Sequence, residues 1–195
     1  GFAGEPGWAE GCGAMVGWRN GERMGVCFAG RANVGKSGLI KALTGTKGLA
    51  RASKTPGRTQ EINYFTQGPD HYLVDLPGYG YANAPLPVVE KWQRLLKQYL
   101  SGRQTLRRAF VLIDGRHGVK PVDEEIMSLL DSSAVTFQCV LTKMDKVKDK
   151  DRDAMLNQVR SKLANHPAAY PEMVMTSSEK GDGIATLRSI IVGLV

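Results

Sequence analysis

The segment Gly30-Arg31-Ala32-Asn33-Val34-Gly35-Lys36-Ser37 gathers, within one turn of chain, the residue types that hold a polyphosphate. Its spacing is G-x-x-x-x-G-K-S. The glycines let the backbone curl so that successive N–H groups converge on anionic oxygens. Lys36 adds a compact ammonium for the outer phosphates. The Ser37 hydroxyl suits Mg²⁺, a hard cation that takes oxygen ligands. Asn33 suits a position that holds the turn. The apolar run Val26-Cys27-Phe28-Ala29 before the loop reads as a buried strand, and Leu39, Ile40 and Leu43 after it keep helical spacing. A helix entered in this way, with Gly38 in its first turn, aims its positive end at the same phosphates.

Three later stretches can serve the same ligand. Asp75-Leu76-Pro77-Gly78 ends an apolar strand. Alone it would be a turn. Some forty residues after a phosphate loop, its carboxylate can reach Mg²⁺ through water and the Gly78 N–H a terminal phosphate. Thr59, with Gly57, Arg58, Gln60 and Glu61 around it, lies in a basic loop and offers a second hydroxyl to the metal. Lys36 and Thr59 are the candidate catalytic groups. Thr142-Lys143-Met144-Asp145 fits the guanine-reading pattern N/T-K-x-D. One carboxylate there pairs with two donors on guanine that adenine lacks. Thr176-Ser177-Ser178 offers backbone N–H groups to the base oxygen.

Positioning these residues takes alternating strands and helices. Strands are expected at Val26–Ala29, Ile62–Phe65, His71–Asp75, Ala109–Ile113, Val135–Leu141 and Glu172–Thr176. Helices are expected at Lys36–Thr44, Val88–Leu100, Asp123–Leu130, Asp149–Leu163 and Ile184–Leu194. The pattern predicts an α/β fold: a six-stranded, mainly parallel sheet with one antiparallel strand and helices on both faces. Ligands of such sheets bind beyond the carboxyl ends of the strands. Residues 1–23, glycine-rich and without a period, read as an irregular arm; residues 24–195 read as one domain.

Composition is that of a globular chain, 42% hydrophobic and 23% charged. No apolar run is long enough to cross a bilayer, and Glu5 and Glu10 interrupt the N-terminal stretch, so no membrane partner and a cytoplasmic location are expected. Cys12, Cys27 and Cys139 lack metal-type spacing and read as free thiols. The net charge of +7 concentrates in residues 41–120, which carry 13 basic and 5 acidic side chains. Such a segment suits a polyanionic partner such as a nucleic acid, or is a solvated basic surface.

Gly-Arg-Ala-Asn-Val-Gly-Lys-Ser, Lys-Thr-Pro-Gly-Arg-Thr-Gln at 54–60, Asp-Leu-Pro-Gly-Tyr-Gly-Tyr-Ala at 75–82 and Thr-Lys-Met-Asp together resemble the bacterial ribosome-biogenesis GTP-binding proteins of the EngB/YsxC type. The resemblance covers about residues 24–195. It implies the three-layer P-loop GTPase fold, GTP and GDP with Mg²⁺, K⁺ at Asn33, and action on the large ribosomal subunit and its rRNA; a monomer is expected. It also implies a link to cell division and septation. Departures are Ala32 and Gly38, where serines are usual, and Tyr79, where many GTPases carry a water-orienting Gln. Tyr79 points to slow turnover. A P-loop ATPase or kinase, and a GTP-dependent binding module with negligible turnover, are the competing readings.

Overall fold

A computed structural model of the chain describes residues 12–14, 24–45, 63–67, 71–76, 78, 79, 90, 93, 94 and 106–194. The expectations for Gly57, Arg58, Thr59, Gln60, Glu61 and Pro77 lie outside the described residues. So does most of the helix expected at Val88–Leu100.

The strands are β1 (Cys12–Ala14), β2 (Met24–Gly30), β3 (Asn63–Gln67), β4 (His71–Asp75), β5 (Leu106–Asp114), β6 (Phe137–Thr142) and β7 (Val174–Met175). The helices with complete described spans are α1 (Lys36–Thr44), α2 (Pro121–Ser132), α3 (Asp149–Leu163) and α4 (Ile184–Gly193). One sheet runs in the order β1-β3-β4-β2-β5-β6-β7. The β4-β2-β5-β6-β7 pairings are parallel, and β3 is antiparallel to both of its neighbours.

The doubly covered, mainly parallel sheet is the one expected, with one difference. Among the described residues it has seven strands rather than six, because Cys12–Ala14, inside the stretch read as irregular, pairs with β3. Three residues among glycines carry no detectable period. They join the sheet because an edge strand presents unpaired N–H and C=O groups that a passing segment can satisfy. β5 extends beyond its expected limits, whereas β6 begins at Phe137 rather than Val135 and β7 is only Val174–Met175. β5 starts at Leu106 with an exposed Arg107 and closes on the polar Asp114, so its apolar stretch reveals only the buried part.

Alternation along the strands divides the core in two. Val26, Phe28, Leu73, Phe110, Leu112 and Val140 face α1 and α4, where Leu39, Ile40, Leu43, Ile184 and Leu187 meet them. Cys27, Ala29, Val74, Val111, Ile113, Cys139 and Leu141 face α2 and α3 with Ile126, Met127, Leu130 and Val159. Successive side chains of a strand point to opposite faces, so strands buried on both sides read as continuous apolar runs. Each fully buried Leu, Ile or Phe is worth about 1.5–3 kcal/mol in area removed from water. The rings of Phe28 and Phe110 stack at 5.6 Å across β2 and β5. Burial pushes the Cys27 thiol up to about 12, with the nearby Lys36 pulling the other way, and raises that of Cys139 as well. Both stay protonated packing groups.

The α2–α3 layer is pinned by one polar cluster. Asp131 Oδ2 lies 2.6 Å from His166 Nδ1, and Asp131 Oδ1 accepts the Ala168 N–H at 2.9 Å. Ala168 in turn accepts the N–H of Phe137, at the start of β6. Asp131→Ala leaves a mostly buried imidazole and an amide without this acceptor. Urea unfolding should show a loss of roughly 1–3 kcal/mol; a loss below about 0.5 kcal/mol would mean the cluster adds nothing.

Candidate functional site

The carboxyl ends of β2, β4, β5 and β6 meet at one edge, and the motif residues stand there. After Gly30 the chain leaves β2 and turns through Asn33, at φ 64°, and Gly35, at φ 98°. Both values lie in the left-handed region, which glycine enters without penalty and Asn better than most residues. The turn delivers Lys36 and Ser37 to the first turn of α1. Val34 is buried beneath the loop, whereas Asn33, Ser37 and Gly38 face outward.

Asp75, at the end of β4, is 3% exposed. Its Oδ1 lies 2.7 Å from the Lys36 ammonium, which also donates to the Leu76 carbonyl. Burial raises the Asp75 pKa, and the charge and hydrogen bond of Lys36 pull it back. The Asp75 carboxylate and the Ser37 hydroxyl in the adjoining turn are hard oxygen donors of the kind a divalent cation takes.

Tyr79 follows Gly78 and is sewn into the phosphate loop. Its N–H donates to the Gly30 carbonyl at 3.2 Å, and its carbonyl accepts the Ala32 N–H at 2.8 Å. Its hydroxyl points into the core and donates to Asp123 Oδ1 at 2.7 Å. The other Asp123 oxygen accepts the Lys120 N–H at the start of α2. Burial raises the Tyr79 pKa well above its ordinary value, and Asp123 raises it further.

The loop after β6 is bonded directly to the phosphate loop. Thr142 Oγ1 donates to the Val34 carbonyl at 2.6 Å, and Lys143 Nζ to the Asn33 carbonyl at 2.8 Å. Lys143 is itself left-handed, at φ 57°. The Met144 N–H donates to the Thr176 carbonyl at 3.1 Å, tying in the next loop. There Ser177 Oγ donates to Asp145 Oδ1 at 2.8 Å. That bond keeps the exposed Asp145 carboxyl below its ordinary range. Ser178 closes the ring: a Cβ built on Gly38 would lie 4.0 Å from its Cβ, an ordinary contact that leaves room for a side chain at 38.

Three residues absent from the sequence reading belong to this edge. Asp114 ends β5, 7% exposed. Its Oδ1 accepts the Arg116 N–H at 2.9 Å and Nε at 3.1 Å, its Oδ2 accepts Arg116 Nη2 at 2.8 Å, and Lys143 Nζ lies 3.7 Å from Oδ2. Between them, a Cβ on Gly115 would fall 2.6 Å from Met144 Sδ and 3.0 Å from the Thr142 carbonyl, so only glycine fits under the loop. The available signal was a carboxylate closing an apolar strand, the same signal that marks Asp75.

Burial raises the Asp114 pKa, but the bonds from Arg116 and the charge of Lys143 outweigh it, and the net shift is downward. A carboxyl with a lowered folded-state pKa stabilises the fold fully above its unfolded value, about 3.9, and loses that contribution as pH falls through the folded value. Arg116→Gln removes the main partner. The stability difference between wild type and variant, from urea melts, should be constant from about pH 5 to 8 and shrink below about pH 4. A difference that grows on acidification would contradict the ion pair.

Comparison with known proteins agrees with this geometry. A family profile described as 50S ribosome-binding GTPase matches residues 25–143, and one described as the elongation factor Tu GTP-binding domain matches residues 96–195. A probable GTP-binding protein EngB of Ruegeria pomeroyi is 77% identical over 193 residues, covering 99% of this chain and 89% of the relative. One from Cereibacter sphaeroides is 68% identical over 193 residues, again 99% of this chain and 89% of the relative. The crystal structure of a probable GTP-binding protein EngB superposes with a TM-score of 0.71 at 27% identity, over 87% of this chain and 97% of that one. A phosphate loop and a guanine-type loop hydrogen-bonded to each other, on a chain this close to such relatives, make it a member of the EngB family of GTP-binding proteins and a P-loop GTPase.

Proposed function

We propose that the chain hydrolyses GTP slowly and works as a nucleotide-dependent switch in assembly of the large ribosomal subunit, with a link to cell division and septation. The observation that carries the nucleotide reading is the pair of bonds from Thr142 and Lys143 to the carbonyls of Val34 and Asn33. They set a base-reading carboxylate and a triphosphate cradle at one spacing, which one nucleoside triphosphate can span.

In this reading the amides of residues 30–38 and the Lys36 ammonium hold the phosphates. Asp145 accepts from the guanine edge, the Lys143 stem lies along the base, and the backbone of Thr176, Ser177 and Ser178 meets its oxygen. Ser37 and Asp75 would hold Mg²⁺, with Thr59 as a further ligand, and the ion would neutralise charge on the phosphates when bound. Lys36 must then share its charge between Asp75 and the phosphates. The Tyr79 hydroxyl is committed to Asp123 and cannot orient water, which favours slow turnover. That same bond supports the second reading, a GTP-dependent binding module whose turnover is negligible. K⁺ at Asn33 would add positive charge beside the transferring phosphate.

The ribosomal partner rests on the family profile's description and on the basic segment 41–120. Exposed Lys41, Arg94, Arg107 and Lys120 belong to it. No helix among the described residues is long and apolar enough to cross a membrane. We propose a cytoplasmic monomer.

Asp145→Asn offers guanine an amide donor where it needs an acceptor. GTP affinity should fall roughly a hundredfold, about 2.8 kcal/mol, and xanthosine triphosphate should gain. Unchanged GTP affinity by titration would refute the base reading. Turnover should be faster in KCl than in NaCl; equal rates would remove K⁺ from the site. Cosedimentation with large subunits should depend on GTP against GDP and weaken steeply with salt through counterion release. Binding indifferent to nucleotide would remove the switch.

A further inference from the structure

We infer that Asp114 is a positioning residue for nucleotide binding: its carboxylate holds the Lys143 ammonium in the place from which it ties the base loop to the phosphate loop. The assignment rests on the reading of Thr142–Asp145 as the base-reading loop. It adds a group outside every motif that touches the nucleotide.

The geometry is a chain of three links. Asp114 is anchored at the end of β5, which pairs with β6 through Asp114 and Thr142. Three hydrogen bonds from Arg116 fix the orientation of its carboxylate. The second oxygen then stands 3.7 Å from Lys143 Nζ. That ammonium donates to the Asn33 carbonyl, and Asn33 is the left-handed residue on which the phosphate loop turns. A lysine head group alone carries high rotamer entropy and three freely rotating donors. A buried anion behind it restricts those rotamers to the ones that reach Asn33. The Lys143 chain also passes over Gly35, whose hypothetical Cβ would lie 3.4 Å from Lys143 Cε, so a displaced lysine disturbs the same turn. Arg116, with 38% of its side chain exposed, takes up the rest of the carboxylate's charge.

A merely structural carboxylate and one that acts through Lys143 differ in a double-mutant cycle. The measurements are GDP affinity, by titration with Mg²⁺ present, for wild type, Asp114→Asn, Lys143→Met and the double variant. Lys143→Met should weaken GDP strongly and Asp114→Asn about tenfold, while the double variant should match Lys143→Met within about twofold. A double variant weakened by the product of the single effects would overturn the assignment while leaving the base loop intact. If Lys143→Met leaves GDP affinity unchanged, the underlying reading of the base loop fails instead, and the assignment with it. Arg116→Gln keeps the backbone N–H bond of residue 116 to Asp114 but loses the two guanidinium bonds, so GDP affinity should fall by less than in Asp114→Asn. A loss as large as that of Asp114→Asn would locate the effect in Arg116 and overturn the assignment. Thermal melts by circular dichroism accompany each variant. An Asp114→Asn chain without a cooperative transition would make the carboxylate a folding group, which also overturns it.

Discussion

Two hydrogen bonds decide whether this molecule has one site or two. Thr142 and Lys143 arrive from the end of β6, the phosphate loop from the end of β2, and β5 lies between them in the sheet. Without the bonds to Val34 and Asn33, each loop would find its own conformation at its own strand end. With them, the separation of the two loops is set by backbone carbonyls and cannot drift independently. Parallel strands make this possible, since all their carboxyl ends open on one edge. Burial on both faces of the sheet then holds the strand ends still.

The same economy appears in the charges. Lys36 and Asp75 neutralise each other on one side of the site, and Asp114 faces two cations, Arg116 and Lys143, on the other. A buried carboxylate is costly unless paired, and each of these two has a cation within reach. Two of the cations, Lys36 and Lys143, belong to the phosphate loop and to the loop after β6, so the ion pairs hold the same strand ends that carry those loops.

Much of this was legible in the sequence for physical reasons. Glycines at fixed spacing around Lys36, and apolar runs dense enough to be buried on two faces, leave few other folds open. Asp75 and Asp145 could be placed because each closes or follows such a run. Asp114 closes one too, but no sequence pattern pairs it with Lys143, since that meeting depends on the register of β5 against β6. The turn of the Tyr79 hydroxyl toward Asp123, 44 residues away, is a tertiary event with no local signal. The three-residue strand at Cys12–Ala14 is too short for alternation to show, and only the exposed edge of β3 gives it a place.

Tyr79 carries one more consequence. It is held at its amide and carbonyl by the phosphate loop, through Gly30 and Ala32, and at its hydroxyl by Asp123 of α2. A residue so clamped works as a fulcrum. The point itself stays with the phosphate loop and with α2. Any rearrangement that carried Tyr79 along would strip the first turn of α2 of a buried partner.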